Sequence, residues 1–349
     1  YRVARKGRFG VNGTLVFPQF IVEPAEQVAK EIKEIKTPLE KNGMDFGFVT
    51  SYNAALRLVV DHDEKILYIY REYYSRNKTD PEIAEDLKDW KEMVNYLRNP
   101  NTEVTVALVG KYTQLHDAYI SVVEALKHGG IFSRATVNIK WVDSELVTAD
   151  NVDEILGDVS GILVPGGFGN RGIDGMLEAI KYARTHNIPF LGLCLGMQLS
   201  IVEFARDVIG YNDAHSAELD PDTTHPVIHI MPEQIDVENI GGTLRLGSYP
   251  CVLNKDSKAY KLYGSEEIQE RHRHRYEVNN DYRDVLTQNG MLLSGLSPDG
   301  RIVEMVEILD HPWFIATQAH PELKSRPNRP HPLFRGFIEA SLEYQKEHK

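Results

Sequence analysis

The run IPFLGLCLGMQLSIVEFA, residues 188–205, passes from an apolar strand through Gly-Leu-Cys-Leu-Gly into an apolar helical stretch. The direct strand–turn–helix junction narrows the architecture sharply, because the same rhythm surrounds it. EVTVALVG (103–110), ATVNIKWVD and SGILVPGG (160–167) read as strands, and HDAYISVVEALKHGG and RGIDGMLEAIKYARTHN read as helices, the first stopped by its glycines. Strands alternating with helices predict a mostly parallel α/β sheet. Residues 226–319 then carry several strand-like runs, as an antiparallel edge does.

The junction also carries chemistry. Gly-x-Cys-x-Gly has the form of a nucleophile elbow. Gly192 and Gly196 have no Cβ to clash in a tight turn. The turn lifts Cys194 out of the sheet and sets it at a helix N-terminus, where the dipole favours a thiolate. The N–H of Leu195 then faces any oxyanion formed at an attacked carbonyl. A lone cysteine is more often a buried structural thiol; the elbow shifts the balance toward a nucleophile. ATQAHPEL (316–323) offers a base and its orienting group. His320 follows an apolar strand, and strand alternation would turn Glu322 toward the same edge. LVPGGFGNRG (163–172) presents bare N–H groups after a strand, without the G-x-x-x-x-G-K-[ST] form of a triphosphate loop. LVGKYT (108–113) has Gly-Lys without the upstream glycine and is discounted on the same ground.

Composition excludes other classes. The formal net charge of −12 argues against a broad nucleic-acid-binding surface. No run of about 18 apolar residues suggests a membrane span. Two cysteines, Cys194 and Cys251, make neither a disulfide framework nor a zinc pattern, which fits a reducing cytoplasm. The chain opens on Tyr1 in mid-pattern, with no signal peptide, and reads as part of a longer product.

Together PGGFGNRG, GLCLGMQ and QAHPE resemble the class I glutamine amidotransferases. EVTVALVGKYTQLHDAYISVVEALKHGG, DAHSAELDP, NIGGTLRLGSYPC, ERHRHRYEVNN and DHPWFIATQAHPE are similar to the CTP synthase family, and LKDWKEMVNYLRNP (87–100) to the linker before its amidotransferase domain. The resemblance implies a flavodoxin-like parallel sheet with helices on both faces over 103–349, preceded by a helical linker at 89–102. It implies Cys194 as nucleophile, His320 as proton shuttle and Glu322 as its orienting group. Gly167 and Leu195 would form the oxyanion hole. Gln198, Glu218 and the backbone at Arg275 would hold L-glutamine, with Glu218 reading its α-ammonium. His272 and His274 weigh less as catalytic groups than as part of a structural segment. No cofactor or metal is implied for this domain. ATP and Mg²⁺ belong to a UTP-aminating synthetase domain that residues 1–88 do not resemble, and GTP is the family's activator. The implied partners are that synthetase domain and a homo-oligomer.

Residues 8–88 are similar to a different family. GRFGVNGTLVFPQF, KNGMDFGFVTSYNAALRLVVD and KILYIYREYYSRNKTDPEIAEDL resemble the start of a phage terminase large-subunit nuclease domain, of ribonuclease-H-like fold. Asp45 matches its first catalytic Asp; the later acidic ligands have no counterpart, and two-metal cleavage needs several carboxylates. A truncated α+β fragment over 1–88 is expected, with an incomplete mixed sheet. Within it 24–41 reads as a helix ending near Pro38, 43–49 and 54–74 as strands with a hairpin turn at 61–65, and 80–99 as a helix. Two origins stay open: a genuine two-family protein, or a junction near residues 85–90. The corresponding second function is a terminase-like, DNA-processing nuclease.

Overall fold

A computed structural model of the chain describes residues 88–230 and 245–348, together with the backbone of five strands within the first 87 residues. It divides into two compact units, Tyr1–Leu87 and Lys88–Lys349.

In the first unit the strands β1 (Val3–Arg8), β2 (Ile21–Pro24), β3 (Leu39–Asn42), β4 (Ala54–Asp61) and β5 (Ile66–Tyr74) form one sheet in the order β2-β1-β5-β4-β3. Every pairing among them is antiparallel, where the sequence suggested a mixed sheet. The β4–β5 hairpin is as expected, closing with Asp61 opposite Ile66. Leu39–Asn42 is a strand rather than the last turn of a helix, because Pro38 disfavours helical backbone before it and Leu39 begins a pairing with Val60. Asp45 and the strand expected at 43–49 lie outside the described residues, as does the beginning of the 80–99 helix.

The second unit begins with α1 (Lys88–Arg98) and continues through β6 (Thr102–Gly110), α2 (Ile120–Phe132), β7 (Ala135–Asp143), α3 (Val152–Leu156), β8 (Gly161–Val164), α4 (Ile173–Thr185), β9 (Phe190–Leu193) and α5 (Leu195–Phe204). After these come β10 (His215–Ser216), β11 (Pro226–Ile230), β12 (Arg245–Leu253), α6 (Lys258–Tyr263), β13 (Glu267–His274), β14 (Tyr276–Val278), α7 (Arg283–Gln288), β15 (Met291–Leu296), β16 (Val303–Ile308), β17 (Phe314–Thr317) and α8 (Pro332–His348). Nine strands make one sheet in the order β13-β12-β15-β16-β17-β9-β8-β6-β7. From β17 to β7 every pairing is parallel. From β13 to β17 every pairing is antiparallel.

This is the expected parallel sheet with an antiparallel extension, and it is covered on both faces. Residues of α4 and α5 pack into one core, and residues of α2 and α8 into the other. Parallel strands buried on both faces must be apolar throughout. Accordingly Gly161–Val164 and Phe190–Leu193 are buried at every position. The helix from Ile120 does not stop at its glycines but runs through them to Phe132. Gly129 is there because a Cβ would meet the Phe334 carbonyl oxygen at 2.8 Å, so α8 can lie directly on α2. No helix among the described residues is long and apolar enough to cross a membrane.

Candidate active site

The parallel register brings the chemistry together. Leu193 pairs with Thr317, so the chain leaves both strands at the same carboxyl edge of the sheet, where such sheets bind ligands. Cys194 follows β9, and Gln318, Ala319 and His320 follow β17. The Cys194 N–H donates to the Thr317 carbonyl at 2.8 Å, tying the two exits.

Cys194 caps α5 with φ 51° and ψ −100°, a left-handed conformation unusual for a side-chain-bearing residue. A Cβ on Gly196 would stand 2.2 Å from the Val164 carbonyl oxygen, so only glycine lets the helix start this close to β8. The Met197 and Gln198 N–H groups donate to the Cys194 carbonyl at 3.1 and 3.2 Å, which leaves those of Leu195 and Gly196, next to the thiol in sequence, without an acceptor inside the helix.

His320 and Cys194 converge on Gly166: a Cβ built there would meet His320 Cε1 at 3.0 Å and Cys194 Cβ at 3.4 Å. His320 Nδ1 lies 2.7 Å from Glu322 Oε1. The strand ends at Thr317, and it is the tight turn Pro321–Leu323, not strand alternation, that carries Glu322 back to the imidazole. Burial alone would depress the His320 pKa. The neighbouring Cys194 thiol and the Glu322 carboxylate outweigh it and hold the imidazolium up to about 10. The His320 backbone N–H donates to the Arg271 carbonyl at 2.7 Å, so β13 fixes the backbone at His320.

A cavity of about 310 Å³ opens over these groups, and its walls include Gly167, Phe168, Cys194, Arg273, His320 and Glu322. Gln198, Glu218 and Arg275 are not in its lining; Glu218 and Arg275 are near enough to each other to interact electrostatically, and Gln198 is engaged elsewhere. The Gln198 amide nitrogen donates to the Tyr276 carbonyl at 3.0 Å, so it is committed to the protein. Glu218 is an exposed residue outside that lining. The surrounding walls push its carboxyl upward, and Arg275 and Lys111 pull it back. Arg275 Nε is buried without a hydrogen-bond partner.

Three features escaped the sequence reading. Lys111, discounted as a phosphate-loop lysine, is buried and donates to the carbonyls of Phe168 (3.1 Å) and Gly169 (2.5 Å), clamping the glycine turn. Arg273 places its guanidinium 5.6 Å from the Phe168 ring centre. Gln318 donates to the Cys194 sulfur at 3.6 Å. None has a one-dimensional signature: each acts across a tertiary contact. His272 and His274 are buried beside His320. Burial and nearby positive charge lower their pKa values to about 2 and about 3, so both are neutral. With Glu304 they bring potential metal-ligating atoms within 4.8 Å of one another. Arg245 Nη1 already sits 2.6 Å from Glu304 Oε1 and supplies the positive charge there.

A family model described as glutamine amidotransferase class-I matches residues 114–340, and the chain belongs to that family. A second, the terminase RNAseH-like domain, matches 45–153. Within the amidotransferases the likeness is to CTP synthases. That of Clostridium acetobutylicum is 59% identical over 262 residues, 75% of this chain and 49% of the relative. That of Staphylococcus aureus is 58% identical over 260 residues, 74% of this chain and 48% of the relative. Among solved structures, the glutaminase domain of a Trypanosoma brucei CTPS with bound acivicin matches with a TM-score of 0.65 and 39% identity, covering 69% of this chain and 94% of that one. The chain thus spans about half the length of the curated relatives it matches.

Proposed function

We propose that this chain hydrolyses L-glutamine through a Cys194 thioester, releasing ammonia for the amination of UTP to CTP by a synthetase domain. The observation that carries the reading is the convergence of Cys194, His320 and Glu322 on one cavity beside the Gly166–Gly167 turn. In this mechanism the sulfur attacks the carboxamide carbon, and the N–H groups of Gly167 and Leu195 receive the oxyanion. His320 passes its proton to the departing nitrogen, which leaves as ammonia. Water, deprotonated by His320, then attacks the thioester, and glutamate and the thiol are released. Glu218 and Arg275 suit the α-ammonium and α-carboxylate of the substrate, and Gln198 braces that wall.

The proposal extends to the setting. ATP and Mg²⁺ are handled by the synthetase partner, GTP activates the glutaminase step, and the assembly is homo-oligomeric and cytoplasmic. Ammonia release from L-glutamine by the full chain, measured beside Cys194→Ala with and without GTP, tests the reading. Release that survives in the variant would sink it.

The match over 45–153 favours a second reading for the N-terminal part, a terminase-like role on DNA. Its share beyond residue 114 overlaps the amidotransferase match and contains β7, a strand of the nine-stranded sheet, and α2, which packs against it. Salt-dependent retention on DNA would support this reading, and flow-through at low salt would end it.

A further inference from the structure

We infer that Gln318 is a catalytic residue whose side-chain amide donates a hydrogen bond to the Cys194 sulfur and stabilises it as an anion. Gln318 is 0% exposed. Its backbone N–H is pinned to the Glu304 carbonyl at 2.8 Å. Its side chain lies between two groups, with Oε1 3.2 Å from Gln198 Nε2 and Nε2 3.6 Å from Cys194 Sγ.

The orientation of that amide follows from its neighbours. Gln198 Nε2 carries two hydrogens and meets two acceptors, the Tyr276 carbonyl at 3.0 Å and Gln318 Oε1. Turning Gln198 over would set its oxygen against the Tyr276 oxygen. Turning Gln318 over would set two NH₂ groups face to face and a carbonyl oxygen against the sulfur. The hydrogen-bond chain therefore has one direction, and it ends with an N–H aimed at sulfur. Between buried groups such as these, a donor to a charged acceptor is worth more than an ordinary hydrogen bond.

The place of this contact in the reaction rests on the glutaminase reading. The donor supports the thiolate before attack. Its bond weakens when the C–S bond forms and the sulfur becomes a neutral thioester. When the water adduct collapses, the C–S bond breaks and its electron pair returns to sulfur, and the same donor stabilises the leaving group. Gln318 thereby serves both halves of the cycle.

The contact can be tested without glutamine. The titratable and charged groups that share the cavity with the sulfur are His320, Glu322 and Arg273, and the thiol also has the Arg273 carbonyl at 3.9 Å; His272 and His274 lie beside His320 on the β12–β13 side, with Arg245 next to them. All are unchanged by substitution at 318, so a change in thiol ionisation reports on this amide. The experiment is alkylation of the full chain by iodoacetamide from about pH 5 to 9, read by mass spectrometry on the Cys194 peptide. Wild type is compared with Gln318→Met and Gln318→Glu. The glutamate keeps an acceptor for Gln198, so it carries the test should the methionine variant fail to fold. We expect the pH midpoint of alkylation to rise by about one unit in Gln318→Met, with the neutral-pH rate falling about tenfold. Gln318→Glu should show a larger shift, because it places an anion beside the sulfur. An unchanged midpoint in a folded variant overturns the assignment, whether or not the wild type releases ammonia. A shifted midpoint in a chain that releases none would instead uphold the contact and sink the glutaminase reading.

Discussion

Strands β9 and β13 both border the thiol, and they are made of opposite materials. β9 is Phe-Leu-Gly-Leu, buried at every residue. β13 is Glu-Ile-Gln-Glu-Arg-His-Arg-His, alternately exposed and buried, with Glu270, His272 and His274 pointing inward. The first is held by apolar packing and needs no partner of particular chemistry. The second buries polar groups that must each be met. Glu270 accepts from Tyr263 at 3.1 Å and pairs with His331 at 3.0 Å, and His272 Nδ1 lies 3.2 Å from His274 Nε2. The apolar strand delivers a reactive side chain; the polar one delivers backbone carbonyls, Arg271 to the base and Arg273 to within 3.9 Å of the sulfur. Reactivity thus sits on the simple half of the sheet, and fine placement on the elaborate half.

This contrast can be broken at several points. Cys194→Ala removes the nucleophile from the apolar half and should lower ammonia release by about a thousandfold or more with an unchanged melting temperature. Loss of folding instead would mean the thiol is a packing group. Glu322→Gln loosens the base and should lower kcat by about 10²- to 10⁴-fold. Since His320 is held protonated up to about 10 partly by Glu322, the alkaline fall in the rate profile should also move to lower pH. A fall at the wild-type position would show that Glu322 does not govern the imidazole.

Gly196→Val forces a side chain onto the Val164 carbonyl and should cost about 3 kcal/mol in denaturant unfolding. A cost under about 0.5 kcal/mol, the range of a surface change, would contradict the close approach.

A pH-dependent effect concerns the polar half. His272 and His274, at about 2 and about 3, are depressed from the ordinary 6.5, so the unfolded chain takes up protons first on acidification. Their contribution is complete above pH 6.5 and is lost as pH falls toward 3, by up to about 1.4 kcal/mol per pH unit for each. Glu304, raised to about 7 by burial, has the opposite sign: its contribution is present below its unfolded value and is lost as pH rises to about 7. Replacing both histidines by asparagine should flatten the acid limb of a stability–pH curve. An acid limb as steep as that of the wild type would place the acid sensitivity elsewhere.

The apolar half was legible because doubly buried parallel strands are written in continuous apolar runs, and β6, β8 and β9 fall where those runs lie, while β7, at the sheet edge, mixes apolar and polar residues and reads as a strand through its β-branched ones. The elbow was legible because Gly-x-Cys-x-Gly is local. The β13 ribbon was recognised only as a family segment, since its buried positions after Ile268 are Glu270, His272 and His274 and the period of two is not written in apolar residues. Glu322 was found, but the turn that presents it was not, because a strand of four residues carries no signal of where it stops. Gln318 stood inside the quoted motif without a role. Its meaning lies in Gln198, 120 positions earlier, and no local pattern holds that distance.

The contact of Gly196 with β8 has a consequence for how such a domain can change. The height of the sulfur above the sheet is set by main chain meeting main chain, 2.2 Å from a Cβ that is not there. Side chains in the two cores can therefore be exchanged, enlarged or trimmed without carrying the nucleophile with them. Robustness to heat and the position of the reacting atom become separate quantities. A lineage or a designer can adjust the first freely, so long as two glycines and one carbonyl stay where they are.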